Sequence, residues 1–163
     1  MPKKSSVKDK NIFLTSREEA ENGSSTGFTR AEAAEKLYIS ADRLFDIEHG
    51  NVLPKPDEII NMASLYRVPA LPNYYCTHIC EIGQKYVPQA KEQSISQIML
   101  EMIVTLNTLN AQKERLAEIT VDGQITDDEV ADFKKIRQSL NQFSSTLESF
   151  KIWLDEHDPD SDR

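Results

Sequence analysis

Between Phe28 and Gly50 the chain reads FTRAEAAEKLYISADRLFDIEHG, and the spacing of apolar and small residues there leaves few ways to fold. Phe28, Ala31, Ala34, Leu37, Ile39, Leu44 and Ile47 recur at helical intervals with polar residues between them. Ala34 falls near the middle of the first predicted helix, where a larger side chain would hold a crossing helix away. Leu37 and Ile39 flank a tight corner, and Leu44 and Ile47 form the inner stripe of a second short helix. Thr29 and Ser40 stand where their hydroxyls can cap the two helices, and Gly50 where a left-handed residue ends the second. Two short helices joined this way make a helix-turn-helix, whose second helix can enter a DNA major groove.

Neighbouring segments extend the helical pattern. The run SREE from Ser16 has capping-box spacing and predicts the start of a preceding short helix, which NGSSTG at Asn22 to Gly27 ends. Pro54 and Pro56 bracket a loop. From Asp57 a fourth helix is predicted, carrying Ile59, Ile60, Met62, Ala63, Leu65 and Tyr66; Pro69 stops it, and LPNYYCTHIC predicts a fifth.

Taken together, FTRAEAAEKLYISADRLFDIEHG and the following PDEIINMASLYRVP resemble the phage-repressor-type, or XRE-like, helix-turn-helix family from about Ile12 to Tyr75. The resemblance implies a five-helix DNA-binding domain that works as a dimer on a two-fold symmetric operator. Under it, Arg30 replaces the glutamine that commonly opens the second helix and touches phosphate. Ser40, Ala41, Asp42 and Asp46 match positions that face phosphates and base edges. Glu48 matches an acidic residue that pairs with a first-helix arginine, here Arg17. Tyr38 departs from the pattern, standing where the family has glycine at a corner that often needs positive φ. Asp42 and Asp46 also depart, since a carboxylate can accept from cytosine N4 but cannot neutralise phosphate. Arg43 is the one cation on the presumed reading helix. It is expected to address base edges with Ser40, Asp42 and Asp46, while Arg30 and Lys36, with Lys55 nearby, hold the backbone.

Charge bears directly on that expectation. Met1 to Cys80 holds 10 basic and 11 acidic residues, a net of −1, and the remainder 9 and 16, a net of −7, which together give the chain its −8. The acidity therefore belongs to the C-terminal half, and the first half alone predicts weak, salt-sensitive DNA affinity unless the protein dimerises. No apolar run is long enough to span a bilayer, no secretory pattern opens the chain, and two cysteines suit a reducing compartment, so a cytoplasmic location is expected.

Those cysteines flank a histidine in YYCTHIC. On a helix, Cys76 and Cys80 share a face while His78 points elsewhere. Zinc takes four ligands, and no second Cys or His pair lies nearby, so Cys76, His78 and Cys80 read first as structural residues, with metal or redox roles as alternatives. No cofactor and no small-molecule effector is expected.

In the C-terminal half, Ile95, Met99, Met102, Leu106, Leu109 and Leu116 recur three and four apart, widened by Ile98 and Ile103. Val130, Phe133, Ile136, Leu140, Phe143, Leu147, Phe150 and Leu154 repeat the pattern, with Trp153 near the far end. The short connection VDGQIT predicts an antiparallel hairpin, with Thr126 and Glu129 starting its second helix. A lone hairpin would leave apolar surface wet, so a homodimer through this hairpin is expected, with packing inside one chain as the alternative. In EITVDGQITDDE, Asp122, Gly123, Ile125 and Glu129 fall at calcium-loop offsets, but Glu118 and Thr120 stand where the usual first ligands would be, and a capped turn explains the segment.

The expected organisation is all-α: a basic arm at 1–11, a five-helix helix-turn-helix domain at 12–80, a linker at 81–89, a long antiparallel helical hairpin at 90–156 and an acidic tail at 157–163. His49, His78 and His157 are scattered and no phosphate loop or nucleophile elbow is present, so an enzyme is not expected. The leading functional expectation is a sequence-specific, double-stranded-DNA-binding transcriptional regulator acting as a dimer. The alternatives are a protein-interaction adaptor built on the same scaffold and a metal-sensing regulator.

Overall fold

A computed structural model describes residues 11–20, 27–121 and 125–158. Among them the chain is all-helical, with α1 at Ile12–Glu19, α2 at Arg30–Lys36, α3 at Ala41–Glu48, α4 at Pro56–Tyr66, α5 at Ala70–His78, α6 at Gly83–Tyr86, α7 at Ile95–Thr120 and α8 at Val130–Glu156. It divides into two compact units, Met1–Cys80 and Glu81–Arg163. The basic arm at 1–10, most of the NGSSTG turn, the centre of the VDGQIT connection and the end of the acidic tail lie outside the described residues.

In the first unit Phe13, Ala33, Ala34, Leu37, Leu44, Ile47, Ile59, Met62, Tyr66 and Leu71 form one core. Ala33 and Ala34 are both buried, which lets α2 lie close against its neighbours, whereas Ala31 faces solvent. The first helix does not begin at Ser16. Asn11 caps it, accepting from the Phe13 amide at 3.0 Å, and Ser16 is buried in mid-helix. The helix must start earlier because Phe13 is its apolar anchor, and only a turn ahead of Ser16 can seat that ring in the core. The same Asn11 side chain donates to the Ile47 carbonyl at 3.0 Å, tying α1 to the end of α3. Gly27 adopts φ +70°, and a Cβ there would stand 2.2 Å from the Glu18 carbonyl oxygen, so only glycine passes.

Thr29 and Glu32 cap α2 reciprocally, and the Ser40 hydroxyl accepts from the Arg43 amide at the head of α3. Gly50, with φ +71°, follows α3 as anticipated for its left-handed exit. The fourth helix starts one residue earlier than Asp57: Pro56 takes its first position, where a missing N–H costs nothing, and the Glu58 carboxylate accepts from the Lys55 amide at 2.7 Å.

In the second unit α7 and α8 pack side by side in opposite directions. Arg115 meets Asp132 at 3.0 Å and Thr146 meets Glu101 at 3.4 Å, which fixes their register. Ser94 and Gln97 box the start of α7. The seam between the helices matches the expected stripes at Ile98 and Ile136 and differs at other positions. Ile98, Thr105 and Ile119 of α7 and Ile136, Thr146 and Ser149 of α8 are buried, while Met99, Leu106, Leu140, Leu147 and Leu154 are exposed. Small hydroxyl residues can occupy the seam because each satisfies itself on its own helix. Thr105 donates to the Glu101 carbonyl at 2.7 Å, Thr146 to Gln142 at 3.1 Å and Ser149 to Ser145 at 3.0 Å. Thr126 and Glu129 pair as predicted, at 2.7 Å, but they close a turn ahead of α8, which begins at Val130. No helix is long and apolar enough to cross a membrane among the described residues.

Candidate nucleic-acid interface

α2 and α3 meet at a corner whose pivot is Tyr38, with φ 56° and a side chain 94% exposed. A non-glycine residue in that region is strained, and here the ring gains no burial in return. Behind the corner, Leu44 and Ile47 face the core. In front, Ala41, Asp42, Phe45 and His49 are exposed, making a continuous outer face on α3.

Glu48 fixes how α3 sits. Its side chain is fully buried, and Arg17 of α1 grips both carboxylate oxygens, with Nη2 at 3.2 Å from Oε2. Arg17 also donates to the Phe28 carbonyl at 2.7 Å, and Arg30 of α2 adds its Nε to Glu48 Oε2 at 3.0 Å. Three helices are thus pinned to one carboxylate, a fully hydrogen-bonded arrangement that burial of charge requires. The pairing of Arg17 with Glu48, implied by the family resemblance, is present in full. Tyr66 is buried beside this cluster; burial and then the Glu48 carboxylate push its phenol well above the usual range.

The cations expected to face nucleic acid are differently placed. Arg30 spends Nε on Glu48 and lays its guanidinium 4.9 Å over the Phe45 ring centroid. Arg43 turns toward α4, bonding Glu58 through Nε at 3.1 Å and Nη2 at 2.9 Å, and donates to the Leu53 carbonyl at 3.0 Å. Burial pushes the Glu58 carboxyl up, but hydrogen bonds from Arg43 and the Lys55 amide outweigh it and hold the carboxyl below its usual range. Lys36 is exposed at the end of α2 and makes no ion pair among the described residues. Ser40 is occupied as a cap. Asp42 is exposed, and Asp46 accepts from the Asn51 side chain at 3.0 Å, which keeps it at the C-terminal end of α3.

Sequence reasoning passed over Phe45, which is 41% exposed between the Arg30 guanidinium and the His49 ring, 3.9 Å away. A large aromatic off the inner stripe, four residues before a histidine, was the available signal. The three histidines share one device: His49, His78 and His157 stack on Phe45, Tyr74 and Trp153 and set Nδ1 at 2.7, 3.0 and 2.8 Å from the carbonyl of that same residue. Each thereby closes a helix end. Cys76 and Cys80 are half-buried and unbridged, and no group of three or more His, Cys, Asp or Glu residues is arranged to hold a metal among the described residues.

No family model matches this chain, and neither a curated protein nor a solved structure is similar to it.

Proposed function

We propose that the protein is a sequence-specific DNA-binding transcriptional regulator of the repressor-like helix-turn-helix type, acting as a dimer. The observation that carries this reading is the outer face of α3, left open while Glu48, Arg17 and Arg30 hold the helix rigidly from behind. Such a helix fits a major groove, where Phe45 and Ala41 would meet thymine methyls and Asp42 a cytosine amino group. Lys36 supplies phosphate contact at the corner. Two copies placed about 34 Å apart would read one helical turn of a two-fold symmetric site. Selection of bound sequences from a random duplex pool is the test. An enriched palindromic motif supports the reading, and recovery of an unenriched pool overturns it.

A second reading, a protein-interaction adaptor, is favoured by one specific observation. Arg30 and Arg43 are both engaged with carboxylates of their own chain, leaving an aromatic and acidic face on α3. Under that reading the face meets a basic partner, and replacing Asp42 and Phe45 abolishes partner capture with DNA retention absent throughout.

A further inference from the structure

The antiparallel pair α7–α8 has two sides, and only one is closed. On one side, residues 89–93 run back along the helices: Ser145 donates to the Gln89 carbonyl, the Lys91 amide donates to Ser149 Oγ at 2.8 Å, and Gln93 donates to Glu101 at 2.7 Å. On the other side lie Met99, Ile103 and Leu106 of α7 and Leu140, Leu147 and Leu154 of α8, all 39 to 53% exposed. The register set by Arg115–Asp132 and Glu101–Thr146 brings Leu106 level with Leu140 and Met99 level with Leu147, so the six make one patch. A monomer rarely leaves so much contiguous apolar surface in water.

We infer that this face is the seam of a homodimer in which a second copy packs antiparallel, its two-fold axis passing beside Leu147. The inference deepens the dimeric regulator proposed above and rests on that reading for its role. Two properties select this occupant. The three leucines of α8 fall seven residues apart, so an axis at Leu147 pairs it with itself and sets Leu140 of one copy against Leu154 of the other. Charge along α8 is also self-complementary. Up to residue 143 it holds Lys134, Lys135 and Arg137 against Asp132, a net of +2; from 144 it holds Glu148, Asp155 and Glu156 against Lys151, a net of −2. The antiparallel copy brings Arg137 beside the other chain's Asp155, and the acidic 127–129 turn projects past the end of the overlap. A parallel copy would instead gather the basic ends together. The overlap spans about 30 Å of two helices, on the order of 600 Å² per copy, somewhat below a standard interface of ~800 Å² and suited to micromolar association.

Sedimentation equilibrium of the full chain without DNA tests this. The wild type should be a dimer at micromolar concentration, and Leu147→Glu should be monomeric with unchanged helicity by circular dichroism. Should Leu147→Glu lose helicity, the exposed-site variant decides. Arg137→Glu should weaken the dimer about tenfold, and adding Asp155→Lys should restore it. A monomeric wild type, a dimeric and helical Leu147→Glu, or an Arg137→Glu that leaves the dimer unchanged or tightens it would overturn the proposal. DNA retention is measured separately, so a dimer that ignores DNA defeats the regulator reading and leaves the seam standing.

Discussion

Glu48 and Glu58 are two glutamates with different consequences, because one is sealed in the core and the other lies at its edge. Glu48 is buried with Arg17 and is also held by the partly exposed Arg30, so Glu48→Ala leaves Arg17 charged and buried. That substitution should cost about 3–5 kcal/mol in urea unfolding; a loss below about 1 kcal/mol would show that the cluster is not what orients α3. Glu58 is hydrogen-bonded by Arg43 and the Lys55 amide, and its folded pKa lies below the ordinary value of 4.5. Its contribution is therefore present above that pH and lost as pH falls through the lower folded value. Stability of Glu58→Gln should vary less with pH in that acid range than the wild type; parallel pH curves would contradict it. The Arg17–Glu48 pair was legible because the family pattern pairs those positions. The Arg43–Glu58 pair was not, since only folding brings Glu58 of α4 within reach of Arg43.

Among the elements, the corner of α2 and α3 is one of two described places, with Arg67 after α4, where a non-glycine residue takes a left-handed φ. Tyr38 holds a left-handed φ with its ring in solvent, so Tyr38→Gly removes strain without removing packing. After the added chain entropy of glycine, a net stabilisation of about 0.5–1 kcal/mol is expected, visible as a thermal midpoint raised by a few degrees. A lowered midpoint would mean that the ring is packed against something. Helix caps at Thr29 and Ser40, and the exit at Gly50, were readable because capping is local chemistry between residues two or three apart. The start of α1 was misread at Ser16 because a capping-box spacing also occurs inside helices, where burial of Phe13 decides. The α7–α8 seam was read correctly at Ile98 and Ile136 and misread elsewhere for a related reason. Hydrophobicity alone points to the leucines, but Thr105 and Thr146, each bonding its own helix, take buried positions, and Leu106 and Leu147, one position on, are left outside.

Across the whole molecule, an almost neutral first unit is joined to an acidic second one, with net charges of −1 and −7. An acidic surface repels DNA, so under the proposed regulator reading binding would come from the few cations near α3, doubled by the proposed dimer. The all-helical character and the absence of a membrane-length apolar helix among the described residues agree with the sequence pattern. The use made of α3's outer face is a question of contact chemistry, which periodicity does not encode. Anisotropy of a labelled mixed-sequence duplex, titrated with the full chain over a range of salt, tests that use most directly. The regulator reading predicts binding at low salt, with log K falling linearly in log salt and the slope reduced by roughly one in Lys36→Ala. No binding at the lowest salt, or binding indifferent to salt and to Lys36, would contradict it.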